Sequence, residues 1–255
     1  MGFYDLDKDK RVQLVDKINK DVLFDFQNKR SENIISYFSD EDTYIRKTAY
    51  QAIGKIYKSN LSLQSNVLRL LDLLLKSDIS KVRQTTINAA GEIGVAEFEK
   101  VEHFFDNGLL DSDHSVRNAV IGSIKKMGEK NPEPILKWAK KYLKHPDQEV
   151  RREICHGIEL RGRTHPQDIL PLLKQLQFDK TARVKNTLVH VLGQISYKKD
   201  CLSIVIKHLK SWDNKELVSH ALDEIIDVHK RYKDFAILTQ EQAIDYIEKH
   251  YKQNN

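Results

Sequence analysis

The chain has 255 residues, 40% of them hydrophobic and 31% charged, which is enough apolar material for a continuous core and too much for a disordered polymer. Ten glycines and five prolines are few for this length and exclude a β-sandwich threaded by tight turns; Leu, Lys, Glu, Gln and Ala dominate and indicate an all-α chain. The net charge of +5, from 42 basic and 37 acidic residues, is ordinary for a soluble protein, and no apolar run approaches the ~18 residues that cross a membrane.

In chain order, the first residues lack the apolar run of a signal peptide, and Leu6 stands where a myristoylation signal has Ser or Thr. Residues 8–27 have the pattern of a capping helix, polar outside and apolar inside. Six units follow at 30–57, 62–94, 96–130, 132–162, 165–197 and 199–231, and a second cap is expected at 239–252. Each unit reads as a short amphipathic helix, A, and then a longer one, B. Helix B opens on an aliphatic residue: Ile45, Val82, Val116, Val150, Val184 and Leu217, spaced 37, 34, 34, 34 and 33 apart. Arg46, Arg83, Arg117, Arg151 and Lys185 come next, with Val218 in the sixth unit. Asp42, Asp78, Asp113, Asp147, Asp179 and Asp213 precede them where N-caps belong.

Four and eight residues into helix B the chain is mostly aliphatic. The first row reads Ala49, Thr86, Val120, Ile154, Leu188 and Ala221; the second reads Ile53, Ala90, Ile124, Ile158, Leu192 and Ile225. At 100° per residue both rows fall on one face, which must be buried against neighbouring units. The expected fold is therefore an all-α, right-handed α-α superhelix of about six helical hairpins in one domain over 1–255. The chain resembles HEAT repeats, whose second helix carries this Asp…Val-Arg signature, over about residues 30–230; the tetratricopeptide and ankyrin signatures are missing. The Asp/Arg elements repeat once per unit, which points to bonds between neighbouring units rather than to chemistry.

Binding residues are sought opposite the core, at the second and sixth positions after the aliphatic residue. These rows read Lys47, Gln84, Asn118, Arg152, Asn186, Ser219 and Gln51, Asn88, Gly122, His156, His190, Asp223. Between Lys125 and His165 there are eleven Lys/Arg against six Asp/Glu, an excess that solvated helix faces explain as readily as a ligand does. The expected groove centre is Asn118, Arg152, His156, Asn186 and His190, with Lys125 and Lys126 beside it. These donors suit phosphate oxygens or an acidic protein segment. His156 and His190 alone make a poor metal site. Cys155 and Cys201 have no metal spacing and fit reduced thiols of a cytoplasmic protein. Trp138 and Trp212 read as packing residues. No Gly-rich phosphate loop, Ser/His/Asp order, His-Glu-x-x-His or Cys-x-x-Cys occurs, and no cofactor is expected.

Residues 147–236 resemble the C-terminal half of the HEAT-repeat DNA alkylation repair proteins, which include 3-alkyladenine glycosylases. The resemblance lies in Val150-Arg151-Arg152…Gly157, Asp168-Ile169-Leu170-Pro171-Leu172-Leu173, Val184…Leu192…Ile195, Leu209-Lys210-Ser211-Trp212 and His220-Ala221-Leu222. It implies a concave helix-B face that holds DNA by its backbone, and in excising members added carboxylates and aromatic residues. At the matching family positions this chain has His156 for Glu, Glu159 for Arg, Asn186 for Arg, His190 for Asn, Gln194 for Asp and Asp223 for Arg. These changes remove charges that would grip DNA. Two functions follow: a non-enzymatic module that binds a protein or peptide along helix B, and a DNA-binding alkylation-repair protein.

Overall fold

The computed structural model describes residues 2–251, so Lys252, the last residue of the expected second cap, lies outside the described residues. Among the described residues the regular structure is helical throughout. The chain divides into two compact units, Met1–Ser123 and Ile124–Asn255.

Unit 1 contains α1 (Lys8–Asn28), α2 (Glu32–Phe38), α3 (Thr43–Ser59), α4 (Gln64–Leu74), α5 (Ser80–Glu97) and α6 (Glu102–Leu109). The division falls inside α7 (His114–Lys130). Helix α1 lies against α3, and α3 against α5. Ile18, Val22, Ala49, Ile53, Val82, Thr86, Ala90, Val116 and Val120 are buried, as the helical period requires; Ile45 is only half-buried.

Unit 2 takes up α8 (Pro132–Tyr142), α9 (Gln148–Gly157), α10 (Glu159–Gly162), α11 (Pro166–Leu173), α12 (Ala182–Gln194), α13 (Cys201–Leu209), α14 (Lys215–Arg231) and α15 (Gln240–His250). Helices α9, α12 and α14 stack in turn through Val150, Ile154, Val184, Leu188, Leu192, Leu217, Ala221 and Ile225, all buried. Gly193 sets the α12–α14 approach: a Cβ there would stand 2.7 Å from Glu224 Cγ and 3.0 Å from Val228 Cγ2. Trp138 and Trp212 are buried, and Trp212 Nε1 donates to His208 Nδ1 at 2.8 Å. Cys155 and Cys201 are buried free thiols, and burial pushes both thiols up.

Three of the expected Asp caps sit on helix starts. Asp42 and Asp147 accept from Tyr44 N and Glu149 N, and Asp113 accepts from Ser115 N at 2.8 Å. The other three do not cap: α5 starts after Ile79, α12 after Thr181, and α14 is capped by Asn214, which accepts from Leu217 N. The arginines bind inward. Arg46, Arg83, Arg117 and Arg151 each donate to two carbonyls of the loop that precedes their own helix. Arg83 and Arg151 also reach the next repeat. Arg83 grips Asp111 through Nε at 2.7 Å and Nη2 at 2.9 Å; Arg151 grips Asp179 at 2.6 and 3.1 Å. Burial opposes ionisation of Asp179, but the bonds from Arg151 and Thr181 outweigh it and hold the carboxyl below its ordinary range.

Candidate functional site

The outward rows of unit 2 are Arg152, Asn186, Ser219 and His156, His190, Asp223, and none of the six is buried. Helices α9 and α12 bring four of the expected groove residues to one open depression of about 360 Å³: Arg152, His156, Asn186 and His190. Arg183 and Thr187 complete its lining. Sequence reasoning passed over both, although Arg183, Asn186, Thr187 and His190 follow the spacing of one helical face. A second depression shares Asn186 and extends between α12 and α14 along Lys185, Val189, Asn214, Glu216 and His220, with a mixed polar and apolar lining. Asn118 is exposed on α7 in unit 1, and Lys126 is exposed on the unit 2 part of that helix.

The two arginines of this face stand beside carboxylates, whereas Lys185 is exposed and has no ion pair among the described residues. Arg152 Nε is 3.0 Å from Glu149 Oε2, and its Nη2 is 3.6 Å from the buried Glu153. Glu149 Oε1 in turn lies 3.0 Å from Arg183 Nη1. His190 Nδ1 is 3.6 Å from Glu224, which Arg231 holds at 2.5 Å. The His156 and His190 rings meet edge to face with centres 6.4 Å apart. Among the described residues no three His, Cys, Asp or Glu side chains gather as a metal site.

Beneath the depression lies a polar cluster. Lys125 Nζ is 2.9 Å from His156 Nε2 and 3.5 Å from Glu159 Oε2, and His156 Nε2 is 3.1 Å from the same oxygen. One ring nitrogen thus faces an amine and a carboxylate, and can accept from the first or donate to the second, not both. Arg163 donates to Glu159 Oε1 through Nε at 2.9 Å and Nη2 at 2.5 Å, and reaches Gln194 Oε1 at 3.0 Å. Burial alone would raise the Glu159 pKa; the His156 bond and the Lys125 and Arg163 charges reverse that and hold it at about 2. Burial lowers the pKa of Lys125, although Glu159 works against it.

The alkylation-repair resemblance puts Glu159 at a position that grips the DNA backbone, where a carboxylate would repel phosphate. The structure corrects this: its side chain is 1% exposed. Helix α9 ends at Gly157, Ile158 intervenes, and Glu159 begins α10, so the helical phase that would carry it outward is interrupted. The basic excess between 125 and 165 is also dispersed. Lys137, Lys140, Lys141 and Lys144 are exposed on α8 or just after it, an A helix, and Arg161 is paired with Asp168. Among the described residues no helix is long and apolar enough to cross a membrane.

No protein-family model matches the chain, and no curated protein matches it in sequence. Solved structures do share its fold. AlkD2 from Streptococcus mutans matches with a TM-score of 0.54 at 19% identity, covering 87% of this chain and 100% of that one. The protein smu.31 from Streptococcus mutans UA159 gives 0.53 at 18% identity over 80% and 97% of the two chains. Crescerin, which uses a TOG domain array to regulate microtubules in the primary cilium, gives 0.51 at 16% identity over 83% and 93%. At such identities the likeness establishes the fold alone.

Proposed function

Because the chain is a HEAT-type helical-repeat protein whose fold resembles that of AlkD2, we propose that it is a non-enzymatic binding module that takes a peptide segment of a protein partner along α9, α12 and α14. One observation carries this reading: the two arginines of the depression, Arg152 and Arg183, both stand beside Glu149 of their own unit. Gripping a nucleic-acid backbone draws on cations free to replace counterions along the phosphates. A face of alternating charge, with Asn186, Thr187 and the two histidines between the charges, instead matches the mixed donors, acceptors and charges of a peptide. The resemblance of residues 147–236 to the alkylation-repair proteins supports the second reading, in which duplex DNA lies on the same face.

Selection from short random peptides displayed on phage tests the first reading. A shared consensus should emerge, and its affinity should fall by about tenfold or more in the Arg183→Glu, Asn186→Asp double variant, with the melting temperature held. Both residues are exposed. Arg152 is the poorer choice, because it lies beside the buried Glu153 and replacing it would disturb the fold. If no consensus is enriched, and duplex DNA binds with a steep salt dependence that these substitutions flatten, the DNA reading replaces the peptide reading.

A further inference from the structure

Unit 1 holds a polar depression of another kind, walled by the last turn of α1, the link to α2 and one side of α4. Five donor side chains line it: Lys29, Arg30, Ser31, Asn66 and Arg69. Lys29 closes α1 in the left-handed region, with φ 54° and ψ 37°, a conformation costly for a residue that carries a Cβ. The amides of Lys29 and Arg30 both bond to Asp25 O, which fixes the turn that presents the two side chains.

These donors are unspent. Among the described residues, Lys29, Arg30 and Arg69 have no carboxylate within ion-pair distance, and the Ser31 hydroxyl and Asn66 amide have no hydrogen-bond partner in the protein. The Arg30 guanidinium lies over the Phe24 ring at 6.0 Å, and its charge is felt by the Glu32 carboxylate at the start of α2, which does not line the depression. Asp25 also lines the depression, but it is fully buried and its oxygens accept from Asn33 Nδ2 at 2.7 Å and Ile34 N at 3.0 Å. The lining therefore keeps three cations against one internally engaged carboxylate. Beside them lie Phe26, Leu70 and Leu73, and Leu73 is 60% exposed.

We propose that this depression binds a phosphate monoester with an apolar body. A dianion answers the surplus charge, and its oxygens can take bonds from two guanidiniums, the Lys29 amine, Asn66 and Ser31. The body of the ester covers Leu70 and Leu73, whose exposure then has a ligand to answer it.

Amide NMR titrations of the whole chain with phenyl phosphate, inorganic phosphate and phenol test this. Phenyl phosphate should saturate, with shifts centred on Lys29, Arg30, Asn66 and Arg69. Inorganic phosphate should bind the same residues about tenfold more weakly, and phenol should not saturate. Arg30→Gln with Arg69→Gln should weaken phenyl phosphate by about tenfold or more. Leu73→Ser should reduce phenyl phosphate to the level of inorganic phosphate and leave the latter unchanged. If the double variant melts early, Arg69→Gln alone, on the exposed side of α4, carries the same test. Unchanged affinity in these variants, or shifts that do not centre on the depression, would overturn the proposal.

Discussion

The two polar depressions are built from similar side chains on similar helical hairpins, yet they treat their charge in opposite ways. In unit 2 the cations around Arg152 and His156 are bound to Glu149, Glu153 and Glu159, and Glu159 alone holds Lys125 and Arg163 from beneath. In unit 1, Lys29, Arg30 and Arg69 line a depression whose carboxylate, Asp25, is occupied with the start of α2. A charge neutralised within the fold contributes to stability and shape. A charge left over is available to a ligand and contributes little until one arrives. The first arrangement suits a partner read by pattern, the second a partner read by charge.

Neutralising one group on each side of this comparison gives the largest expected contrast. Glu159→Gln removes the anion that Lys125, His156 and Arg163 share, and leaves partly buried cations facing one another. It should cost about 3 kcal/mol, seen as a melting temperature lower by roughly 6–12 °C. Arg69→Gln removes an exposed cation without a partner and should change stability by less than about 0.5 kcal/mol. Equal effects of the two changes, measured by thermal unfolding, would erase the distinction between internal and surplus charge.

Acid should sharpen the same contrast with a smaller effect. His208 and His229 of unit 2 have pKa values lowered chiefly by burial; His208 accepts from the Trp212 indole, and His229 Nδ1 lies 2.8 Å from Ile225 O. Below the ordinary value of 6.5 the unfolded chain takes up these protons before the folded one does. The stability the neutral rings contribute is therefore complete above pH 6.5 and declines as the pH falls below it. Glu159 behaves differently: its share is complete above 4.5 and is lost only as the pH falls toward about 2. Melting curves at pH 7.5 and 5.5 should differ by roughly 2–4 °C, and His229→Gln should shrink that difference. A profile flat down to pH 4.5 in the unmodified chain would contradict it.

The core was legible in the sequence because Cβ direction follows the helical period: of the residues at zero, four and eight of each B helix, only Ile45 escapes full burial. The same period assembled Arg152, His156, Asn186 and His190, which a repeat of 34 residues places on neighbouring helices. Glu159 was placed by the family resemblance, and there the reading failed. Nine residues after Val150, an unbroken helix points outward; the break at Ile158 turns the carboxylate under the groove. The Asp/Arg ladder was legible as bonds between neighbouring repeats, and Arg151 does reach the ladder residue Asp179, but Asp111 as the partner of Arg83 was not. Both partners lie 28 residues on, in the next repeat, and for Arg83 no local pattern singles out Asp111. The unit 1 depression left no trace in the sequence. Lys29 and Arg30 lie in a link and Arg69 on an A helix, so no periodicity joins them.

The smallest expected effect is none, and it concerns the alkylation-repair resemblance. Excision of an alkylated base requires a grip on the backbone and a carboxylate that can stabilise positive charge developing on the sugar. Of the two carboxylates at family positions, Glu159 is 1% exposed and bound to two cations and a histidine, so its oxygens are taken. Asp223 is exposed on α14, one residue before the Glu224 that Arg231 and His190 share, which leaves it reachable but in an acidic setting that repels phosphate. The purified protein should therefore release no 3-methyladenine or 7-methylguanine from alkylated duplex DNA above a no-protein control. Asp223→Asn is the informative variant, because Asp223 stands clear of the Glu159 cluster that holds the fold. Release well above the control, lost in Asp223→Asn with the melting temperature unchanged, would move the catalytic reading ahead of the peptide-binding one.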